Sequence, residues 1–220
     1  MLRRQPTGGS ASPSAGVSAV SAASAPMPTT SAVAPTSAFT STTYDRGVPP
    51  HASQVSESAF ALLFAEVVRY QQLRVDTVAQ LEANLAALGF EVGRRAAELA
   101  ATRDRPDKRE LRMVAALQFV TSTCWTAVYG ATVDALERST ESNDTFLVHE
   151  RDPVPCRYAS VPKDMGALNL AAFNAGLVRG MLDAQGFFAD VTAHQVEQRG
   201  VKKTVYVVKF AKEHVDREAR

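Results

Sequence analysis

Cysteine is scarce in this sequence, which has only Cys124 and Cys156 among its 220 residues. Two cysteines cannot form the disulfide framework of a small secreted domain, so we expect a reducing, cytoplasmic environment. Cys124 lies among apolar neighbours, as a small core residue does. The cysteine content therefore argues against a disulfide-stabilised secreted domain.

An excess of charge of either sign is also missing. The chain has 24 basic and 23 acidic residues, which gives a formal net charge of +1. Nucleic-acid-binding domains concentrate positive charge on one face. The dense basic group between residues 103 and 112 is instead interrupted by Asp104, Asp107 and Glu110, as in a solvated loop and helix start. We therefore expect no nucleic-acid partner.

Acidic residues are absent from residues 1–44, where the only basic residues are Arg3 and Arg4. Ser, Ala, Thr, Pro, Gly and Val make up most of this stretch, so it has too few large apolar side chains to offset the entropy of ordering. We expect residues 1–54 to form a disordered extension and residues 55–220 to form one domain. A transit peptide is the alternative, although two arginines and no amphipathic stripe give it little support.

The sequence also lacks the residue patterns of a catalytic or metal site. Its four histidines, His51, His149, His194 and His214, have no metal-ligand spacing with each other or with a cysteine. There is no phosphate-binding loop and no dinucleotide fingerprint. A spatial pairing of Cys124 with a histidine remains open, although burial would raise the pKa of that thiol. We therefore expect no enzyme activity, cofactor or metal.

A long uncharged run from Met113 to Val133 does occur, and its 21 residues could span a bilayer. It contains several polar residues that a lipid-facing helix would avoid: Gln118, Thr121, Ser122, Thr123, Thr126 and Thr132. A buried helix in a soluble protein explains the run better.

Apolar periodicity and turn residues predict helices, two strands, a further helix and a final hairpin. The first expected helix covers 56–73, and the second runs from Asp76 as its N-cap to a break at 105–107. The third covers 108–129 with a short continuation over 132–138, and the fourth runs from 169 to just before Gly186. The expected strands cover 145–150, 157–161, 188–196 and 204–210. This order predicts an α+β fold in which helices cover an antiparallel sheet of about four strands.

The first predicted helix has an unusually wide apolar face. Ala59, Leu63, Val67 and Tyr70 form one stripe, and Phe60, Phe64 and Val68 form a second beside it. A core-facing helix needs only one such stripe, so the second indicates an interface. We predict that Phe60, Phe64 and Val68, with Leu85 and Leu88 of the second helix, contact a partner. The alternative is that both stripes belong to the core.

The fourth predicted helix carries Ala172, Gly176 and Gly180 four residues apart, so one of its faces is almost without side chains. We predict that a neighbouring backbone packs closely there. The alternative is that this bare face lines an apolar pocket, in which case the domain would be a small-molecule sensor.

A family resemblance rests on the stretch from Ser160 to His194, which includes Ser-Val-Pro-Lys-Asp-Met-Gly-Ala-Leu-Asn-Leu-Ala-Ala-Phe-Asn-Ala-Gly-Leu-Val-Arg-Gly-Met-Leu. The segment from Ser56 to Tyr70, and Gly89, Gly93 and Trp125 in their contexts, add to it. Together they resemble the small TRAPP subunits of the Bet-three-like family, and most closely the branch called TRAPP subunit five. The resemblance covers residues 55–210 and none of the leader.

This resemblance implies an α/β-plait and a place among other small TRAPP subunits in an elongated heteromeric complex. That complex activates a Rab GTPase by nucleotide exchange and tethers vesicles in transport from the endoplasmic reticulum to the Golgi apparatus. The implied role is a non-catalytic scaffold, cytoplasmic and peripheral at both membranes through the complex alone. The founding member of the family carries an acylated cysteine near the start of its third helix, whereas Lys108–Leu111 contains none here. Acylation is therefore not expected.

Overall fold

The computed structural model describes residues 54–104, 109–140, 142–161, 165–166, 168–198 and 201–218. Its helices are α1 (Glu57–Gln72), α2 (Val78–Asp104), α3 (Met113–Phe119), α4 (Trp125–Tyr129), α5 (Val154–Arg157), α6 (Ala172–Ala184) and α7 (Lys212–Glu218). A π-helical turn, Val120–Cys124, joins α3 to α4. The strands are β1 (Ala135–Arg138), β2 (Thr145–Glu150), β3 (Ala189–Gln198) and β4 (Val201–Phe210).

The four strands form one antiparallel sheet in the order β1-β2-β4-β3. Tyr206, Val208 and Phe210 of β4 are buried, whereas Val205 and Val207, which alternate with them, are half-buried. Successive side chains of a strand point to opposite faces, so helices cover one face of the sheet and the other remains partly open. The predicted α+β class, with a four-stranded antiparallel sheet, is confirmed.

Helices α2 and α6 pack together through glycines on both sides. A Cβ placed on Gly176 would lie 2.0 Å from the carbonyl oxygen of Ala86, and one on Gly180 would lie 2.1 Å from that of Phe90. On α2, a Cβ placed on Gly89 would lie 2.1 Å from the carbonyl oxygen of Phe173 in α6. The two backbones therefore approach more closely than any larger residue would allow.

Two local predictions were wrong. Residues 132–138 were expected to be helical, but Gly130 ends α4 with φ at +76° and the chain reverses into β1, which pairs with β2. Residues 157–161 were expected to form a strand, but Arg157 ends α5. Because β1 and β4 already occupy the two edges of β2, no edge of β2 remains for such a strand.

Apolar residues at spacings of three and four predict that Val92 and Leu99 lie on the inward face of the second helix, and that Leu111, Val114 and Val128 face inward in the third. The structure differs at these positions. In α2, Val92 and Leu99 are exposed, and Gly89, Gly93, Ala97 and Ala100 are buried in their place because α6 packs on the glycines. The third helix begins at Met113, so Leu111 lies outside it and is exposed. Val114 in α3 and Val128 in α4 are also exposed, and the π turn between the two helices changes the helical period there.

The start of α2 differs by one residue from the prediction. The Thr77 hydroxyl, and not Asp76, accepts a hydrogen bond from the Gln80 amide at 3.3 Å, as an N-cap does. The hairpin of β3 and β4 and the helix ends near Gly130 and Gly186 agree with expectation. None of the helices within the described ranges is both long and apolar enough to cross a membrane.

The predicted disordered extension falls on residues 1–53, which lie outside the described residues, and on Gln54. The boundary at residue 55 therefore stays a prediction.

Candidate subunit interface

Helix α1 presents one apolar stripe to the core and a second to solvent. The helix begins after Ser56, whose side chain accepts a hydrogen bond from the Ala59 amide at 3.4 Å. On the inner side, Phe64 is 5% exposed, and Phe60, Val67 and Val68 are partly buried against the core. The wide apolar face seen in the sequence is thus divided between two environments.

An aromatic cluster holds the inner stripe in place. The ring of Phe64 lies 6.0 Å from that of Phe60 and meets Phe173 of α6 edge to face at 5.3 Å. Phe60 in turn meets Tyr129 of α4 edge to face at 6.4 Å. Such pairs add to the burial energy of the rings, so these contacts fix which side of α1 faces inward.

Two of the five predicted interface residues lie in the core of this chain, and the contact of Phe60, Val68 and Leu88 with a partner stays a prediction. Leu85 is fully buried in the core and Phe64 nearly so, which leaves them almost no surface to offer to a partner. Phe60, Val68 and Leu88 are half-buried and pack against the same core. Within this chain, the phenylalanine stripe and Val67 support the fold, whereas Leu63 and Tyr70 of the neighbouring stripe are exposed.

We call that exposed set the outer stripe; its members are Leu62, Leu63, Tyr70 and Leu73. Their exposed fractions are 75%, 64%, 52% and 79% respectively. Three large apolar side chains of α1, together with Leu73 at its C-cap, form a patch of the kind that marks protein–protein contacts. Leu63 and Tyr70 were already visible as a stripe in the sequence, but periodicity does not tell which of two adjacent stripes faces the core.

Beside α1 runs a cleft of about 380 Å³, whose other wall is formed by residues 155 and 158–161 with Met165, Leu168 and Leu170. Phe64 lines it together with Leu168 and Leu170, which are also buried residues. On α1, Ala61 and Ala65 leave room for the cleft because they are small, and Tyr158 stands exposed on the opposite side. A large apolar side chain of a partner would fit such a depression.

An ionic contact anchors the start of α1. The Arg157 guanidinium contacts the Glu57 carboxylate of α1, and its Nε donates to the Asp152 carboxylate at 2.6 Å. The contact joins the first turn of α1 to α5.

A buried polar cluster lies deeper, between the sheet and the helices. Tyr206 donates to the Glu150 carboxylate at 2.6 Å, and Asn174 donates to the same oxygen at 3.3 Å. Tyr129 donates to the side-chain amide oxygen (Oδ1) of Asn174 at 2.6 Å, and Trp125 also donates to Glu150. Burial raises the pKa of Glu150, and these hydrogen bonds oppose the rise. The cluster ties α4, α6, β2 and β4 together.

The cysteines have the surroundings of structural residues. Cys124 is fully buried, and burial together with the nearby Glu150 charge raises the pKa of the Cys156 thiol to about 11. A thiol with so high a pKa supplies little thiolate at neutral pH. Across the described residues, no group of three or more His, Cys, Asp or Glu side chains is placed to hold a metal ion.

Ala172, Gly176 and Gly180 were the residues predicted to allow close packing. The structure places Gly176 and Gly180 against the α2 backbone, while Ala172 is half-buried at the first turn of α6. Because α2 occupies the glycine face, that face does not line a pocket. The sensor hypothesis loses the surface on which it was based.

The fold has a counterpart among solved structures. A trafficking protein particle complex subunit 3 from Naegleria fowleri, determined with covalently bound palmitic acid, superposes with a TM-score of 0.61. The match covers 70% of this chain and 95% of that one at 10% sequence identity, so it shows a shared fold alone.

Sequence comparison is more specific. Trafficking protein particle complex subunit 5 of Bos taurus is 42% identical over 170 residues, which cover 77% of this chain and 88% of the relative. The Dictyostelium discoideum protein of that name is 36% identical over 177 residues, or 80% of this chain and 95% of the relative. The sequence model of the family described as "Transport protein particle (TRAPP) component" matches residues 60–211. The chain therefore belongs to the TRAPP component family.

Proposed function

We propose that this protein is a non-catalytic scaffold subunit of a TRAPP vesicle-tethering complex. The observation that carries the proposal is the outer stripe, which is exposed in the isolated chain although it consists of large apolar residues. Burying one such leucine at an interface contributes about 1.5–3 kcal/mol before the costs of association. The names of the relatives, which are subunits of trafficking protein particle complexes, supply the kind of partner.

In this role the outer stripe and the adjoining cleft bind a neighbouring small subunit. The buried aromatic cluster beneath them keeps α1 rigid, so that the partner meets a preformed surface. The chain contributes no chemistry of its own. Through the assembled complex it supports nucleotide exchange on a Rab GTPase and transport from the endoplasmic reticulum to the Golgi apparatus, and it reaches those membranes as a peripheral component.

Affinity purification of the tagged chain from its native cells tests the proposal. We expect several other small subunits in stoichiometric amounts by mass spectrometry, and we expect the recovered complex to accelerate nucleotide exchange on a Rab GTPase. Recovery of the chain alone, monodisperse and stable, would contradict the scaffold role. Recovery of the subunits without exchange activity would contradict only the link to a Rab.

A further inference from the structure

Strand β1 is an edge of the sheet, and half of its backbone groups face away from the other strands. The Ser139 amide donates to the Thr145 carbonyl oxygen at 3.0 Å, next to the pairing of Arg138 with Phe146. In an antiparallel ladder, hydrogen-bonded and non-hydrogen-bonded pairs alternate. The backbone N–H and C=O groups of Leu136 and Arg138 therefore point away from β2.

That outward-facing edge borders a cleft of about 740 Å³, which is larger than the cleft beside α1. One wall is the chain from Thr132 to Leu136, and the other is α3 with the π turn that follows it. The amide of Val133 donates to the carbonyl oxygen of Thr121 at 3.3 Å, which joins the two walls at one end. A sheet edge flanked by a helix in this way is the geometry in which peptide-binding domains add an extended strand.

The opposite edge of the sheet differs in this respect. By the same alternation, the backbone of Ala193 in β3 points away from β4, and its carbonyl oxygen accepts a hydrogen bond from the Asn169 side chain at 2.8 Å. Strand β3 thus has a side-chain donor of its own chain on its outer edge. The geometry favours β1 as the edge that accepts another strand.

The side chains lining the β1 cleft indicate what such a strand carries. Half-buried Val133 and Leu136 offer apolar contacts. Asp134 is acidic and exposed, and its carboxylate also accepts a hydrogen bond from the Arg151 amide at 2.7 Å. An extended peptide with apolar residues in alternate positions and a lysine or arginine between them complements this surface in shape and in charge.

We propose that an extended, basic segment of a partner protein adds to the sheet as a fifth strand along β1, between β1 and α3. The site shares no lining residue with the cleft beside α1. It is therefore a second docking surface, beyond the scaffold contact proposed above, and each of the two can fail alone.

A matched pair of substitutions on the edge tests the proposal. Arg138→Pro removes the outward N–H of an exposed residue, whereas Arg138→Ala removes the same side chain and keeps the N–H. A second pair tests the cleft: Gln118→Trp fills it, and Thr126→Trp places the same bulk on exposed α4 surface away from it. Circular dichroism of each variant checks that the fold is intact. The Gln118→Trp pair keeps the test decisive if Arg138→Pro fails to fold.

The probe is a phage-displayed library of random peptides, selected on the immobilised full-length chain. We expect the selected peptides to alternate apolar residues with lysine or arginine and to slow amide exchange at Leu136 and Arg138. The affinity of the protein for these peptides should fall about tenfold in Arg138→Pro and in Gln118→Trp, which corresponds to the loss of about one hydrogen bond or more. It should stay unchanged in the controls Arg138→Ala and Thr126→Trp.

Three outcomes would overturn the proposal. These are selection of no peptide, equal binding to Arg138→Pro and Arg138→Ala, or protection of amides elsewhere than in β1. Charged substitutions in the outer stripe should leave the binding of the selected peptides unchanged, which separates this test from that of the scaffold contact.

Discussion

The carbonyl oxygen of Ala86 in α2 lies where a side chain of residue 176 would have to begin. A Cβ on Gly176 would lie only 2.0 Å from that oxygen, and the oxygen belongs to the backbone and cannot rotate away. The joint between α2 and α6 is thus built on the absence of side chains. The packing of α2 against α6 holds together the helical layer that supports both α1 and the sheet.

Substitution at this joint should destabilise the fold strongly. Gly176→Ala forces the two backbones apart, and we expect a loss of about 1–3 kcal/mol or more in the free energy of unfolding, with Gly176→Leu not folding. Ala184→Leu, at an exposed position of the same helix, is the control and should have little effect. Urea denaturation followed by Trp125 fluorescence gives the measurement. A cooperatively folding Gly176→Leu protein of normal stability would refute the close packing.

Truncation of two neighbouring residues of α1 should lower the free energy of unfolding by very different amounts. Phe64→Ala removes a buried ring that packs on Phe60 and Phe173, so we expect a loss of about 3–5 kcal/mol in the free energy of unfolding. Leu63→Ala removes an exposed side chain and should change this quantity by about 0.5 kcal/mol or less. Equal losses in the two variants would show that the assignment of the inner and outer stripes is wrong.

The docking of α7 should depend on pH through His214. Its Nε2 accepts a hydrogen bond from the Phe188 amide at 2.9 Å, which requires the neutral ring. Burial, with Arg217 nearby, lowers the pKa of His214 below its usual value of about 6.5. The unfolded state therefore binds the proton more readily. The stability from this contact is complete above pH 6.5 or so and is lost as pH falls through the lower folded-state pKa.

Amide exchange in α7 as a function of pH measures this effect, after correction for the intrinsic pH dependence of exchange. We expect protection to decrease on acidification in the wild type. In His214→Gln, whose side-chain oxygen can accept the same hydrogen bond without titrating, protection should change little over that range. A pH profile that is identical in both proteins would rule out the histidine as the cause.

The buried Glu150 carboxyl should give a dependence of the opposite sign. Because burial raises its pKa in the folded state, the folded protein retains the proton to higher pH than the unfolded chain does. The free energy of unfolding should then decrease as pH rises from about 4.5 through the raised folded-state value. Glu150→Gln removes this titration, so its stability relative to wild type should improve as pH rises across that window. Urea denaturation at several pH values compares them, and parallel curves would contradict the prediction.

Local sequence signals were sufficient for much of the fold. The bounds of α1 agree within one residue because Ser56 can cap the helix and the apolar period continues to its end. The final hairpin is readable because Tyr206, Val208 and Phe210 alternate with less buried residues. Strand β1 could not be found in this way, because its sequence has no strand pattern and it becomes a strand only by pairing with β2.

The candidate site shows where local information ends. The sequence reveals that α1 has two apolar stripes, but the choice of the inner one depends on Phe173 and Tyr129, which lie far away along the chain. That one stripe contains phenylalanines and the other a leucine does not tell which of the two is the interface. Contacts between distant segments decide that question, and periodicity within one helix does not contain them.

Paired charge substitutions test most directly whether the outer stripe of α1 binds a neighbouring subunit. Leu63→Lys with Tyr70→Lys places two charges in the stripe seven residues apart. Val92→Lys with Leu99→Lys places two at the same spacing on exposed apolar positions of α2. We predict that the tagged α1 variant stays folded but loses the other small subunits in affinity purification, whereas the α2 variant retains them. Full retention of those subunits by the folded α1 variant would show that the outer stripe does not bind a neighbouring subunit.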